Sequence, residues 1–276
     1  MFVAIRKTVF SFIIKLVLIL FIIPLPYSAL FASSEISKEK KLIYTNVAGL
    51  SAITLWGVAN WDYFETEMNQ KNEGWFSKNT KYGGSDKLGH FYTSYSTSRL
   101  FSHVFKNWGY SMERGALFGS LSSFAMMSWM EVGDSFSNYG FSYEDFLMNS
   151  FGCVTGYFLD VNPGLSRKID IRAEYLPDFK TTDVFTDYEN TKYLIAIKLE
   201  GFESVKNKIA KYLEFHLGYY TRNYPESIDR KRNMYLGIGI NMSRIFNNYS
   251  MKKTAKIAQY IQVPYTYASY RENLNQ

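Results

Sequence analysis

The sequence has one cysteine, three histidines and few charges. Cys153 has no partner for an internal disulfide, and a Cys-x-x-Cys metal or redox motif is excluded. The 31 Lys and Arg residues are scattered among 25 Asp and Glu residues, so the net charge of +6 forms no basic stripe and no nucleic-acid partner is expected. A Gly-rich phosphate loop, a Gly-x-Ser-x-Gly elbow and a Cys–His pair are also missing, so no cofactor is predicted.

Aromatic residues are abundant instead, at 18% of the chain, and apolar residues of all kinds reach 47%. Such a chain is too apolar and too weakly charged to remain unfolded. Its 276 residues are enough to bury a full core without a disulfide or a metal. Because Tyr and Trp combine an apolar body with a polar tip, this composition suits a membrane interface or a large binding surface as well as a core.

Residues 1–32 have the three parts of an export signal: a basic start, an apolar run over 16–23, and small residues before position 33. The mature chain is predicted to begin near Ser33. Because Leu30 is larger than the residue usual at its position, an uncleaved membrane anchor is the alternative. Either way, we expect an exported protein of the periplasm or the membrane-associated cell envelope.

The remaining sequence predicts an α+β protein with an antiparallel four-helix module over 42–160 and an antiparallel strand-rich region over 161–276. The first helix, 42–61, is uncharged and about long enough to cross a bilayer. A helix inside a bundle, or one lying half in a membrane, fits its polar residues equally well. The other helices are predicted over 86–106, 111–132 and 143–159.

Period-two alternation of apolar and polar residues predicts three strands in the C-terminal region, over about 193–199, 213–219 and 234–242. A short charged helix is predicted over 203–211, between the first two strands, and another over 251–260. We expect a small sheet packed on the helical module.

Small residues recur one helical turn apart in the helical module, at Gly115 and Gly119 and again at Gly152 and Gly156. This spacing predicts that the helix backbones approach each other closely.

Polar side chains fall near one end of three predicted helices. They form three pairs spaced three or four residues apart: Asp86 with His90, Glu131 with Asp134, and Asp145 with Asn149. Because consecutive helices run in opposite directions, all six side chains are expected at the same end of the bundle. They share a helix face with the close-packing glycines, which predicts a buried polar pocket.

Three interpretations of this pocket are open. In the first, Ser85, Asp86, Ser142 and Asp145 cap helices, and His90 is a hydrogen-bonded strut that contacts Glu131. In the second, the pocket is catalytic or binds a ligand.

The second interpretation assigns roles to seven residues. His90, Glu131 and Asp134 are the candidate catalytic groups, and the candidate binding groups at the helix N-termini are Asp86, Lys87, Asp145 and Asn149. In the third interpretation, His90, Glu131 and Asp134 hold a metal. No His-Glu-x-x-His spacing supports it, so no metal is predicted.

Three separated blocks in this module resemble a known family. They are GGSDKLGHF at 83–91, Glu131 with Asp134, and GFSYEDFLMNSFGCVTG at 140–156. In this order they resemble the uncharacterised predicted periplasmic lipoproteins typified by YfiM and, more distantly, VanZ-type membrane proteins. The resemblance implies a cell-envelope helical module of unestablished activity, with the seven candidate residues as signature positions. The chain departs from it by lacking a lipid-attachment cysteine and by adding the strand-rich region.

These observations lead to two functional hypotheses. The first is a membrane-associated envelope module whose polar cluster fixes the bundle and binds an anionic envelope ligand. The alternative is a hydrolase or transferase that acts on a lipid-linked or phosphorylated envelope substrate through His90 and Glu131. A membrane lipid or an envelope component is the expected partner, and the sequence names no protein partner.

Overall fold

A computed structural model describes residues 36–177, 186–225 and 227–275. In these residues the chain is α+β, with long helices followed by a five-stranded antiparallel sheet. The export signal predicted for residues 1–32 lies outside the described residues.

The four predicted long helices are present as α1 (Lys38–Asn60), α2 (Ser85–Asn107), α3 (Met112–Ser135) and α4 (Tyr143–Val161). The expected count of four helices is nevertheless wrong, because the described residues contain seven. Three short helices follow the module: α5 (Pro163–Ser166), α6 (Met242–Asn248) and α7 (Lys252–Ile257). Helices of four to seven residues are too short to show a clear apolar period, so only α7 had been anticipated, within 251–260.

Helix α2 packs against both α3 and α4, and glycines make this close packing possible. A Cβ atom on Gly119 of α3 would lie 2.4 Å from the backbone nitrogen of Ser102 on α2. A Cβ atom on Gly152 of α4 would lie 2.2 Å from the carbonyl oxygen of Phe91, also on α2. The close backbone approach predicted from the glycine spacing is therefore confirmed at both contacts.

Of the four residues expected to cap helices, only Ser142 is an N-cap; Ser85, Asp86 and Asp145 lie inside their helices. Ser142 caps α4 as predicted, with its hydroxyl accepting from the Asp145 backbone nitrogen at 3.3 Å. Helix α2 has no side-chain cap, because Gly84 precedes it with a φ of 88°. Ser85 and Asp86 lie inside the helix instead, which directs the Asp86 carboxylate toward Lys87 and the polar cluster.

The sheet consists of β1 (Ile169–Tyr175), β2 (Thr191–Lys198), β3 (Leu213–Arg222), β4 (Lys231–Ile240) and β5 (Tyr267–Asn273), paired in that order. The three predicted strands correspond to β2, β3 and β4. The helix predicted over 203–211 is wrong: this segment is a series of turns that ends in a 3-10 turn at Ala210–Tyr212. A run of charged residues without an apolar face gives a helix nothing to pack against.

The sheet buries charged side chains on one face and exposes apolar side chains on the other, the reverse of the usual arrangement. Charged side chains alternate toward its buried side, where Arg172 donates to Asp170 at 2.7 Å and to Glu214 at 2.5 and 2.9 Å. Lys198 donates to Asp170 on the same side at 2.6 Å. The apolar residues of β2, β3 and β4 that produced the period-two pattern occupy the opposite face and are exposed: Ile195, Ile197, Leu213, Phe215, Leu217, Met234, Leu236, Ile238 and Ile240.

The sheet meets the helical module along α2 and the loop before it. Ile171 of β1 packs with Tyr95 of α2 and Leu159 of α4. The Tyr219 hydroxyl of β3 donates to the carbonyl oxygen of Gly83, and its ring lies 5.6 Å from that of Phe76. These contacts place the start of α2, and with it the polar cluster, next to the C-terminal region.

Candidate carboxylate–histidine site

The seven candidate residues lie at one end of the helical module: five of them line a cavity of about 290 Å³, and the other two, Lys87 and Asn149, contact members of this group from behind. His90 of α2 contacts Glu131 of α3 and Asp145 of α4, with one ligand atom of each residue within 4.8 Å of the others; we call these three residues the carboxylate–histidine cluster. Asp86 and Asp134 join them in the cavity wall. Helices of alternating direction bring these groups together, as predicted from the short connections between the helices.

His90 lies between two carboxylates. Its Nδ1 atom is 3.4 Å from Glu131 Oε1, and its Nε2 atom is 3.7 Å from Asp145 Oδ1. Burial by itself lowers the pKa of His90, but the charges of Asp145 and Glu131 raise it above its usual value. The imidazole ring is therefore held in an environment that favours its protonated form.

Lys87 is a second centre of charge in the same end of the module. Its ammonium nitrogen is 2.6 Å from Glu73, 2.9 Å from Asp86 and 2.9 Å from Asp145. Burial opposes the charged form, but these three carboxylates together raise the pKa of Lys87. A buried lysine with three carboxylate partners keeps its charge.

Asn149 links the cluster to two helices. Its Nδ2 atom donates to Glu131 Oε1 at 3.1 Å, and its Oδ1 atom accepts from the Ser94 hydroxyl at 2.8 Å. Asn149, Glu131 and Ser94 are all buried. These two hydrogen bonds fix the Glu131 carboxylate. The strut interpretation gave this role to His90, whose Nδ1 atom approaches Glu131 to 3.4 Å without a hydrogen bond.

Two carboxyl groups of the site have strongly shifted acidity. Burial raises the pKa of Glu131 to about 8 and that of Asp134 to about 7, although His90 counteracts the shift in both. Asp145 behaves in the opposite way, because His90 and Lys87 overcome its burial and lower its pKa. Carboxyls of different acidity within one pocket are typical of functional sites, though ion-pair networks also produce them.

Several residues of the site were not anticipated from the sequence. Glu73 comes from the loop before α2, which showed only a mixture of charges, and Tyr188 comes from the C-terminal region and closes one side of the cavity. Methionines and a tryptophan form much of the remaining wall: Met126, Met127, Met130 and Trp56. A local sequence pattern does not reveal such residues, because only the packing of distant segments brings them to the cavity.

The fold and the site define an α+β protein whose helical module encloses a carboxylate–histidine cluster. Residues 72–161, about a third of the chain, match the model of a family described as "Predicted periplasmic lipoprotein (DUF2279)". The matched segment contains all seven candidate residues and Glu73. No curated protein and no solved structure matches the chain.

The family match confirms the predicted location, an exported chain associated with the cell envelope. It also supports the resemblance to periplasmic lipoproteins, whereas the finer likeness to YfiM and to VanZ-type proteins stays a prediction. The single cysteine, Cys153, is buried in α4. Its position in a packed helix is unlike that of a lipid-attachment cysteine.

Proposed function

We propose that this chain is a membrane-associated envelope protein whose carboxylate–histidine cluster binds the polar headgroup of an amphiphilic envelope component. The proposal depends on one observation: polar side chains are buried in both parts of the protein, while large apolar side chains face outward. This arrangement reverses the usual order for a protein surrounded by water.

The reversal is clear in the helical module. Helix α2 buries Ser94, Ser98 and Ser102 on its packed side. Helices α3 and α4 expose large apolar residues, including Leu121 at 52% and Phe151 at 55%. Helix α1 is the one described helix long and apolar enough to cross a membrane, and only 11% of its apolar window is buried. Contact with lipid accounts for these surfaces better than contact with water.

The sheet supports the same conclusion. Its exposed apolar face extends from Ile240 to Met234 along β4, a distance of about 20 Å at 3.3 Å per residue. The apolar band of lipid-facing strands in known membrane proteins is about 25 Å tall. Beyond Met234, the next residue of β4 on the same face is charged, Arg232. This charge-free face is long enough to contact the apolar layer of a membrane.

The cavity beside the cluster fits an amphiphile. Its methionine and tryptophan walls suit an apolar segment, and its volume is just below the usual range for small-molecule sites. His90 and Glu131 supply polar contacts at one end. A ligand with an apolar body and a polar headgroup therefore uses both parts of the cavity.

Carboxyl groups outnumber cationic groups around the cavity, which limits the charge that the headgroup can have. Around His90 and Lys87 there are five carboxyl groups, from Glu73, Asp86, Glu131, Asp134 and Asp145. Their excess favours a headgroup that is cationic or that donates hydrogen bonds. The anionic ligand expected from the helix N-termini requires that a further cation offset these carboxylates.

The alternative function is a hydrolase or transferase that acts on a lipid-linked or phosphorylated envelope substrate. The observation that favours it is the position of His90, which contacts Glu131 and Asp145 and also lines the cavity. A histidine oriented by carboxylates and open to a ligand has the arrangement of a general base.

Separate His90→Gln and Glu131→Gln variants test whether the cluster acts on a ligand or only fixes the bundle. We expect both variants to keep the wild-type melting temperature within a few degrees and to lose the cellular phenotype of the intact gene. His103→Gln, on the exposed side of α2, is the matched control and should retain both properties. A melting temperature that falls together with the phenotype would show that the cluster is only structural.

A further inference from the structure

We propose that His90, Glu131 and Asp145 bind one divalent metal ion of the zinc or manganese class. Each residue offers a ligand atom, and the three atoms lie within 4.8 Å of one another. The metal site rests on the proposed function, since it lies within the same site and specifies the chemistry of its ligand. Metal binding and amphiphile binding can nevertheless be measured separately.

The distances within the cluster suit a small ion. Ligand atoms around a tetrahedral ion with bonds near 2.1 Å lie about 3.4 Å apart. His90 Nδ1 lies 3.4 Å from Glu131 Oε1, and the other ring nitrogen, Nε2, lies 3.7 Å from Asp145 Oδ1. Because one ring nitrogen binds one ion, the third ligand atom, which lies within 4.8 Å of the others, must move inward when the ion binds. A set of one imidazole and two carboxylates is a mixed nitrogen and oxygen donor set, which zinc, manganese and iron(II) accept.

An unsatisfied buried atom provides a second observation. His90 Nδ1 is buried without a hydrogen-bond partner and lies 3.4 Å from Glu131 Oε1. A buried polar atom in this state is costly, and a metal ion bound to it would satisfy it. Asp145 is only 4% exposed; Lys87 donates a hydrogen bond to its Oδ2 atom and lies 2.9 Å from its Oδ1 atom, so Asp145 would be shared between the ammonium and the ion.

A neighbouring group of three carboxylates already has a cation, the ammonium of Lys87, among its oxygen atoms. Glu73, Asp86 and Asp145 also lie within 4.8 Å of one another. The ammonium of Lys87 is between 2.6 and 2.9 Å from each of them and supplies the positive charge. The carboxylate–histidine cluster shares Asp145 with this group but has no lysine or arginine of its own among the described ion pairs.

The surroundings of the cluster resemble the support that metal ligands receive. Asn149 donates to Glu131 and is itself held by Ser94, and Lys87 donates to Asp145. Such contacts orient ligands and are worth about 10- to 100-fold in metal affinity. His90, Glu131 and Asp145 all line the cavity, so a headgroup in the cavity can reach an ion that they bind. A bound cation also offsets the carboxylates that otherwise disfavour an anionic headgroup.

Equilibrium dialysis of the purified full chain tests the proposal. The protein is stripped of metal with EDTA in detergent, dialysed against Zn²⁺ or Mn²⁺, and analysed for bound metal. We expect one ion per chain and a rise in melting temperature with metal concentration. Glu131→Gln and Asp145→Asn should each weaken binding by at least tenfold. Asp160→Asn, which removes an ion-paired carboxylate from the other end of α4, should bind as the wild type does.

A measurement on the wild-type chain avoids reliance on variants that fail to fold. Diethyl pyrocarbonate modifies accessible histidines, and mass spectrometry locates the adducts. We expect Zn²⁺ to protect His90 and to leave the modification of His103 unchanged. The proposal would be overturned if Zn²⁺ left the modification of His90 unchanged. It would also be overturned if the wild-type chain bound neither metal, or if the variants bound metal as the wild type does.

Binding of the amphiphile, measured with EDTA and with Zn²⁺, separates the two proposals. Amphiphile binding by a chain that takes up no metal refutes the metal site alone. Metal binding by a chain that never binds an amphiphile refutes the proposed function alone.

Discussion

Asn149 donates a hydrogen bond to the buried carboxylate of Glu131 over 3.1 Å, which joins α4 to α3. Its amide oxygen accepts from Ser94, so the same side chain also joins α2. One amide therefore ties together the three helices that carry the carboxylate–histidine cluster. Its loss affects the fold and the orientation of Glu131 at the same time.

Replacing Asn149 by alanine should lower the free energy of unfolding by about 1–3 kcal/mol, because Glu131 and Ser94 would keep buried polar atoms without partners. Denaturant unfolding in detergent measures the change. Asn107→Ala, which removes an exposed contact with His103, is the control and should stay within about 0.5 kcal/mol of the wild type. Equal effects of the two substitutions would contradict the linking role of Asn149.

The glycines between helices give a second prediction. Gly152→Ala would place a Cβ atom 2.2 Å from the backbone oxygen of Phe91, which a side-chain movement cannot relieve. We expect a loss of about 1–3 kcal/mol from overpacking. Gly164→Ala is the matched control, because nothing lies within 4 Å of its added Cβ atom. Thermal unfolding measures the midpoint of each variant. Equal midpoints for Gly152→Ala and Gly164→Ala would contradict close packing at Gly152.

The ion network of the sheet gives a third prediction. Arg172→Met removes the cation between Asp170 and Glu214, both buried. Breaking a buried pair by removing one partner costs about 3–5 kcal/mol. Lys231→Met, which breaks an exposed pair with Asp229, should cost at most about 1 kcal/mol. Chemical denaturation compares the two, and similar small losses would mean that water reaches the network.

The same network predicts a dependence of stability on pH. Burial by itself raises the pKa of Glu214, but hydrogen bonds from His216 and Arg172 hold it below its ordinary value of 4.5. A carboxyl with a lower pKa in the folded state contributes stability above its unfolded pKa, and this contribution is lost as the pH falls through the folded pKa. We expect the unfolding free energy to fall below about pH 4.5, and to fall less steeply in Glu214→Gln. Parallel pH profiles for the two proteins would argue against this contribution.

The exposed face of the sheet gives a fifth prediction, about membrane association. Leu236→Lys places a charge in the centre of the apolar band, and burial of one such side chain contributes about 1.5–3 kcal/mol. Flotation with phospholipid vesicles should therefore show binding weakened by about tenfold or more. Ile228→Lys, in a loop where the side chain is 98% exposed, should float as the wild type does. Unaltered flotation of Leu236→Lys would show that this face does not contact lipid.

The helical module and the contacts of its polar residues could largely be anticipated from the sequence. The period of apolar residues located the four long helices to within a few residues, and the spacing of Gly119 and Gly152 indicated where backbones touch. Short connections then fixed the alternation of direction that brings His90 to Glu131. These signals are local or depend only on connectivity, so one sequence contains them.

The sheet was anticipated only in part. Apolar and polar residues alternate regularly in β2, β3 and β4. Strand β1 does not show this pattern in its burial, because Ile171, Arg172 and Ala173 are all buried, and β5 is mostly exposed. The alternation also does not say which face is inside. Because apolar residues are usually buried, the pattern at Phe215 and Leu217 would suggest an apolar core, and only the structure shows that Glu214 and His216 are the buried residues.

The sequence by itself determined the kind of protein: an α+β chain rich in aromatic residues, with polar side chains at one end of a helical bundle. It did so because composition and periodicity reflect burial and helix geometry directly. Only the tertiary structure decided that Glu73 neutralises Lys87, that Asp145 faces His90, and that the sheet presents its apolar side outward. Those relationships depend on distances between segments far apart in the chain, which no local pattern specifies.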